Sequence, residues 1–141
     1  MGRRETRENT MKLLYQVQIQ KDDVDEQLAL FLEEHPIPDA GERDYIMSVV
    51  RGVMDKQADI DDLLSRHTKG WIISRMPKVD LAIMRLSVYE MRYRKDIPVN
   101  VSINEAVEMA KKYSGEESRI FVNGVLGKVW SEISGQPEEL E

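Results

Sequence analysis

The stretch from Lys78 to Tyr93 constrains the fold most, because its apolar residues do not keep to one side. Leu81, Met84, Val88 and Met91 recur at the spacing of one helix face, while Ala82, Ile83, Leu86 and Tyr89 occupy the others. A helix that is apolar all round must be buried, so the fold is expected to be built around this segment. The remaining sequence supplies helices to surround it. Apolar spacings of three and four recur throughout, and no run alternates as a half-buried strand would, so the chain is expected to be all-α.

The order of elements follows from the same period and its interruptions. A first helix spans about Arg3 to Gln20, with Thr10, Leu13, Leu14 and Val17 inward and its arginines at an exposed start. A second runs from about Val24 to His35 and is stopped by Pro36-Ile37-Pro38. Asp39 caps a long third helix that passes Ile46, Val49, Val50 and Val53, continues through a polar turn, and reaches Ile60, Leu63, Leu64 and His67. Gly52 marks a close approach within it. A short helical segment around Trp71 to Arg75 ends near Pro77, ahead of the central helix. Beyond Pro98, Ser102 and Glu105 have the spacing of a capping box, followed by an inward face of Ile103, Ala106, Val107 and Ala110. The last helix, about Glu116 to Ser134, turns Val122, Val125, Leu126, Val129 and Ile133 inward. Gly124 and Gly127 within it each cost roughly 1 kcal/mol against Ala, which predicts a close-packed neighbour. Residues 1–134 are thus expected to form one helical domain, with 135–141 a short, disordered acidic tail.

Composition narrows the function classes. The chain has no cysteine, which removes disulfides, thiolate nucleophiles and cysteine-based zinc sites. No apolar run approaches the roughly 20 residues of a membrane helix, and the first ten residues lack a signal-peptide core, so a cytoplasmic protein without membrane contact is expected. The net charge of −6 is unevenly spread. Residues 22–62 carry thirteen acids against Arg43, Arg51 and Lys56, whereas residues 66–95 carry eight cations against Asp80 and Glu90. The start is basic as well, with Arg3, Arg4, Arg7 and Lys12 against Glu5 and Glu8. Screening confines each field to about 10 Å at moderate salt, so an acidic chain with basic zones fits a polyanion locally as well as it fits solvated helix faces.

No set of residues suits catalysis. His35 and His67 have no third ligand in a metal pattern, no phosphate-cradling glycine loop occurs, and the carboxylates from Asp55 to Asp62 read as a solvated face. No enzyme activity, metal or cofactor is expected. Three arginines at a helix start oppose the helix dipole, and spacing alone fits a phosphate partner as well as a solvated terminus. Tyr15 and Phe121 fit either the core or a platform on which an unpaired base stacks.

Two segments carry a family resemblance: Ile97-Pro98-Val99-Asn100-Val101-Ser102-Ile103-Asn104-Glu105-Ala106-Val107-Glu108-Met109-Ala110-Lys111-Lys112-Tyr113, and Glu117-Ser118-Arg119-Ile120-Phe121-Val122-Asn123-Gly124-Val125-Leu126. Together with Val79 to Glu90 and the arginines ahead of Leu13-Leu14-Tyr15, the sequence resembles the NusB family of transcription antitermination factors across almost its whole length. The resemblance implies about seven helices in two packed sub-bundles, binding to boxA RNA, and pairing with the small-subunit ribosomal protein NusE in an elongating RNA polymerase complex with other Nus factors. It places Arg3, Arg4 and Arg7 on phosphates, and Tyr15, Glu117, Ser118 and Phe121 at the base-reading surface. It places Asp80, Met84 and Arg85 near the protein partner. Glu5 and Glu8 interrupt the arginine-rich start and lower its charge. The alternatives are a NusB-like interaction or homodimerisation module without an RNA role, and a NusB-like domain of a ribosomal RNA methyltransferase, for which the chain is expected to be too short.

Overall fold

The computed structural model describes residues 4–20 and 23–135. In chain order its helices are α1 (Arg4–Ile19), α2 (Val24–Glu34), α3 (Ala40–Asp55), α4 (Gln57–Ser65), α5 (Lys78–Tyr93), α6 (Val99–Tyr113) and α7 (Glu116–Ser134), with a single 3-10 turn at Ile73–Arg75. There is no strand among the described residues. The helices form two sub-bundles, in which α1, α2 and α3 pack on one another and α4, α6 and α7 gather about α5. The segment expected to be surrounded is surrounded: α5 packs against α1, α3, α4, α6 and α7, and Leu81 through Val88 are all buried. Among the described residues, no helix is long and apolar enough to cross a membrane.

Helix starts follow the sequence where a short polar side chain precedes them. The Asp23 carboxylate accepts from the amides of Asp25 and Glu26 at 2.8 and 3.2 Å, and that of Asp39 accepts from the amide of Glu42 at 2.9 Å. Each satisfies amides that the first turn leaves unpaired. Two expectations need correction. The long third helix is two helices, because Lys56 adopts φ −103 and ψ 13 and ends α3 before α4 begins at Gln57. The capping box also fails: α6 begins at Val99, directly behind Pro98, so Ser102 lies one turn inside it. Its hydroxyl donates instead to Glu90 of α5 at 2.7 Å and meets the Ser87 hydroxyl at 3.0 Å, while Glu105 pairs with Arg4.

The glycines divide in the same way. Gly52 does mark a close approach, with the ring of Tyr89 lying where its Cβ would be. Gly124 and Gly127 do not, since a Cβ at either would meet nothing within 4 Å. No packing reason therefore offsets their helical cost. Gly127→Ala is expected to stabilise the fold by about 1 kcal/mol, the propensity difference, read as a raised thermal midpoint. An unchanged or lowered midpoint would show a constraint at Gly127 that the geometry does not contain.

Candidate nucleic-acid interface

The predicted site residues fall on α1, on the start of α7 and on α5. Arg3 lies outside the described residues. On α1, Arg4 is exposed, and its guanidinium donates from Nε and Nη2 to Glu105 of α6 at 3.0 and 3.2 Å. That hydrogen bond, reinforced by the Glu105 charge, raises the Arg4 pKa. One turn further, Glu8 accepts from Lys112 at 3.0 Å and from the Tyr113 hydroxyl at 3.0 Å. Burial works to raise its pKa, but these two donors outweigh it and lower the carboxyl, keeping it charged. Glu8 therefore keeps its negative charge, paired with Lys112 across the α1–α6 seam. Lys12 lies beside the same seam, its ammonium 5.5 Å from the Tyr113 ring centre. Tyr15, 37% exposed, stands on the outer side of α1.

Arg7 corrects the reading of the arginine cluster. It is 1% exposed, and its Nε donates to Glu90 of α5 at 3.1 Å, so it faces the core and not a phosphate. The physical reason is helical register. Arg7 lies three, four and seven residues before Thr10, Met11 and Leu14, all of which are buried. The expected protein-partner residues are likewise inward. Met84 is fully buried, and Arg85 forms a fork to Asp61 of α4 at 2.8 and 2.9 Å. Asp80 is buried and accepts from the hydroxyls of Ser114 and Ser118 at 2.7 and 2.8 Å. A helix surrounded by five others has little side left for a partner. What Asp80 does is fix the α6–α7 turn, and with it the first turn of α7.

That turn presents the other predicted residues. Glu117 is exposed, Ser118 is tied to Asp80, and Phe121 is half-buried one turn on from Glu117. The Phe121 ring meets Trp71 at 5.8 Å between centres and a 54° tilt. Trp71, half-exposed, was not anticipated as a site residue. The available signal was a large aromatic just after Gly70, in a segment too short to bury it. Gly70 has φ +76 and sits third in a turn closed by the Trp71 amide donating to the Thr68 carbonyl at 2.9 Å, a geometry that favours glycine. The α1 and α7 groups do not touch directly. They are joined through α6, which holds Arg4 and Glu8 along its length and leads into α7 at its end. Among the described residues, no group of three His, Cys, Asp or Glu side chains is placed to hold a metal ion.

Comparison with known proteins places this arrangement. Residues 4–131 match the model of the NusB family. The chain belongs to the NusB family. A relative from Acetivibrio thermocellus, the transcription antitermination protein NusB, is 55% identical over 129 residues, covering 92% of this chain and 88% of that one. The solved NusB of T. maritima superposes with a TM-score of 0.84 at 35% identity, covering 92% of this chain and 90% of its own. A crystal structure of the antitermination factors NusB and NusE in complex with double-stranded RNA gives a TM-score of 0.84 at 24% identity, a likeness of fold. Of the predicted RNA-contact residues that are described, Arg4, Tyr15 and Glu117 are exposed, Ser118 and Phe121 are half-buried, and Arg7 is buried.

Proposed function

We propose that this chain is a transcription antitermination factor that binds boxA-type single-stranded RNA together with NusE and acts, in the cytoplasm, on the elongating RNA polymerase complex with other Nus factors. Its role is binding and not catalysis. The observation that carries the reading is membership of the NusB family over residues 4–131. The geometry supports it: an exposed arginine on α1, whose Nε and Nη2 are held by Glu105, presents its Nη1 side to a phosphate, and aromatic surface on α1 and α7 suits splayed bases. In this reading Arg4 meets the backbone, while Tyr15, Glu117 and Phe121 face the bases. Ser118 holds the α7 start through Asp80. Arg7 is left out, because its burial against Glu90 gives it a structural role.

The test is a titration of a boxA-like single-stranded RNA with the chain alone and with NusE, at two salt concentrations. Binding enhanced by NusE and weakened by salt is expected, and negligible binding in every condition would overturn the proposal. Phe121→Ala is expected to lose about 1–3 kcal/mol of RNA binding, the worth of one stacked base. Arg4→Ala is expected to weaken all RNA sequences alike and to lower the salt slope by about 0.7, the value for one single-strand phosphate. If Phe121→Ala lowers the melting temperature and spares RNA binding, its ring belongs to the core alone.

A further inference from the structure

Beside Phe121 lies a groove of about 310 Å³ between the Thr68–Trp71 turn and the outer side of α7, within the roughly 300–1,000 Å³ range of small-molecule sites. Resting on the RNA-binding reading above, we infer that this groove is a second base-binding subsite, taking one nucleotide of the single strand next to the one at Phe121. Four observations point to a nucleotide. Trp71 is 50% exposed, so a flat aromatic face stands open to solvent. The titratable groups lining the groove are Lys69, Lys128 and His67, with no acid among them. Thr68 lines it too; at 2% exposed, its Oγ1 is buried without a hydrogen-bond partner. The α7 backbone is bare at Gly124, which lines the same wall and has no neighbour within 4 Å of where a Cβ would stand.

Three of these have a counterpart in a nucleotide, and the bare backbone at Gly124 leaves room for it. Buried polar atoms in native proteins are rarely left unpaired, and a hydroxyl can both donate and accept, so the Thr68 hydroxyl, closed off in the free chain, gains a base edge or a ribose hydroxyl as partner when the Thr68–Trp71 turn shifts on binding. The lysines suit the flanking phosphates. A protein occupant fits less well, since lysine is depleted at protein interfaces while the apolar residues here are rimmed by it. The base does not enter between the rings. Their centres are 5.8 Å apart, and a sandwiched ring needs two carbon contacts of about 3.5 Å, close to 7 Å in all. It stacks on the exposed surface of Trp71, whose ring meets Phe121 at a 54° tilt.

The test uses the full chain with NusE and a boxA-like single-stranded RNA of about a dozen nucleotides, within single-strand site sizes. Trp71→Ala is expected to weaken RNA binding about 5- to 100-fold, and Trp71→Phe to retain most of the affinity. Lys69→Gln with Lys128→Gln is expected to reduce the salt slope by about 1.4, for two phosphates. Thr68→Val should leave the fold as stable as before and still weaken binding, because it removes a hydroxyl that the free protein does not use. The chain has only two tryptophans, so quenching by RNA that disappears in Trp71→Phe reports stacking at Trp71 directly. If Phe121→Ala weakens binding while the Trp71 and lysine variants bind as wild type, the subsite is wrong and the RNA reading stands. If the wild type binds no RNA even with NusE, both fall. A Trp71→Ala effect confined to NusE affinity or to self-association would make the groove a protein contact and overturn the inference.

Discussion

Arg7→Ala is expected to cost about 3–5 kcal/mol of folding stability, the usual penalty for stranding one member of a buried ion pair. Arg7 and Glu90 are each 1% exposed, and the guanidinium lies 3.1 Å from the carboxylate. Glu90 also accepts from the hydroxyls of Tyr45 on α3 and Ser102 on α6, so one carboxylate on α5 gathers α1, α3 and α6. Burial, and then the neighbouring Glu90 charge, push the Tyr45 hydroxyl well above its ordinary range, which keeps it a donor. Without Arg7, the charge of Glu90 is left with two neutral donors inside the core. Denaturant unfolding is the measurement, with a lowered midpoint and an unchanged slope. Arg4→Ala is the control, because its exposed pair with Glu105 is screened by water and its loss leaves the midpoint almost in place. RNA binding by Arg7→Ala, measured where the variant is still folded, should match the wild type. An unaltered midpoint with weakened RNA binding would return Arg7 to the phosphate surface.

The contrast between Arg4 and Arg7 shows what a sequence can and cannot convey here. The central helix was legible because eight apolar side chains distributed around Lys78–Tyr93 leave no solvent face, whatever the neighbours are. Helix α7 was legible for a different reason, the helical spacing of Val122, Val125, Leu126 and Val129, which are its buried residues. The buried pair was only half legible. Glu90, in the helix with the most buried residues, calls for a cation, but that cation lies 83 residues away and no local pattern names it. Ser102 misled because its spacing to Glu105 fits a capping box, while the start of the helix was set by Pro98. The break at Lys56 carried neither glycine nor proline, so the polar turn there looked continuous. The candidate site rests on family resemblance at α7, and nothing in the sequence points to Trp71, whose contact with Phe121 exists only once the chain has folded back.

Gly52→Ala is the second large effect, and it isolates one contact between α3 and α5. A Cβ at Gly52 would stand 2.2 Å from the Tyr89 hydroxyl oxygen, 2.3 Å from Cζ and 2.5 Å from Cε1, so the ring itself, and not only its tip, is in the way. Tyr89 has little freedom to retreat, being packed against the core and set 5.1 Å from the ring of Tyr93. Helix propensity favours alanine by about 1 kcal/mol, yet overpacking of this kind costs about 1–3 kcal/mol and displaces either the ring or α3. A net loss of up to about 2 kcal/mol is therefore expected in thermal or denaturant unfolding. The partner substitutions give the argument its edge. Tyr89→Phe removes only the hydroxyl and leaves Cζ and Cε1 in place, so it should not rescue Gly52→Ala. Tyr89→Leu, which vacates the far half of the ring, should recover part of the loss and uncover the propensity gain. Equal stability of Gly52→Ala and wild type would mean that α3 and α5 sit farther apart at this point than the Gly52–Tyr89 contact requires.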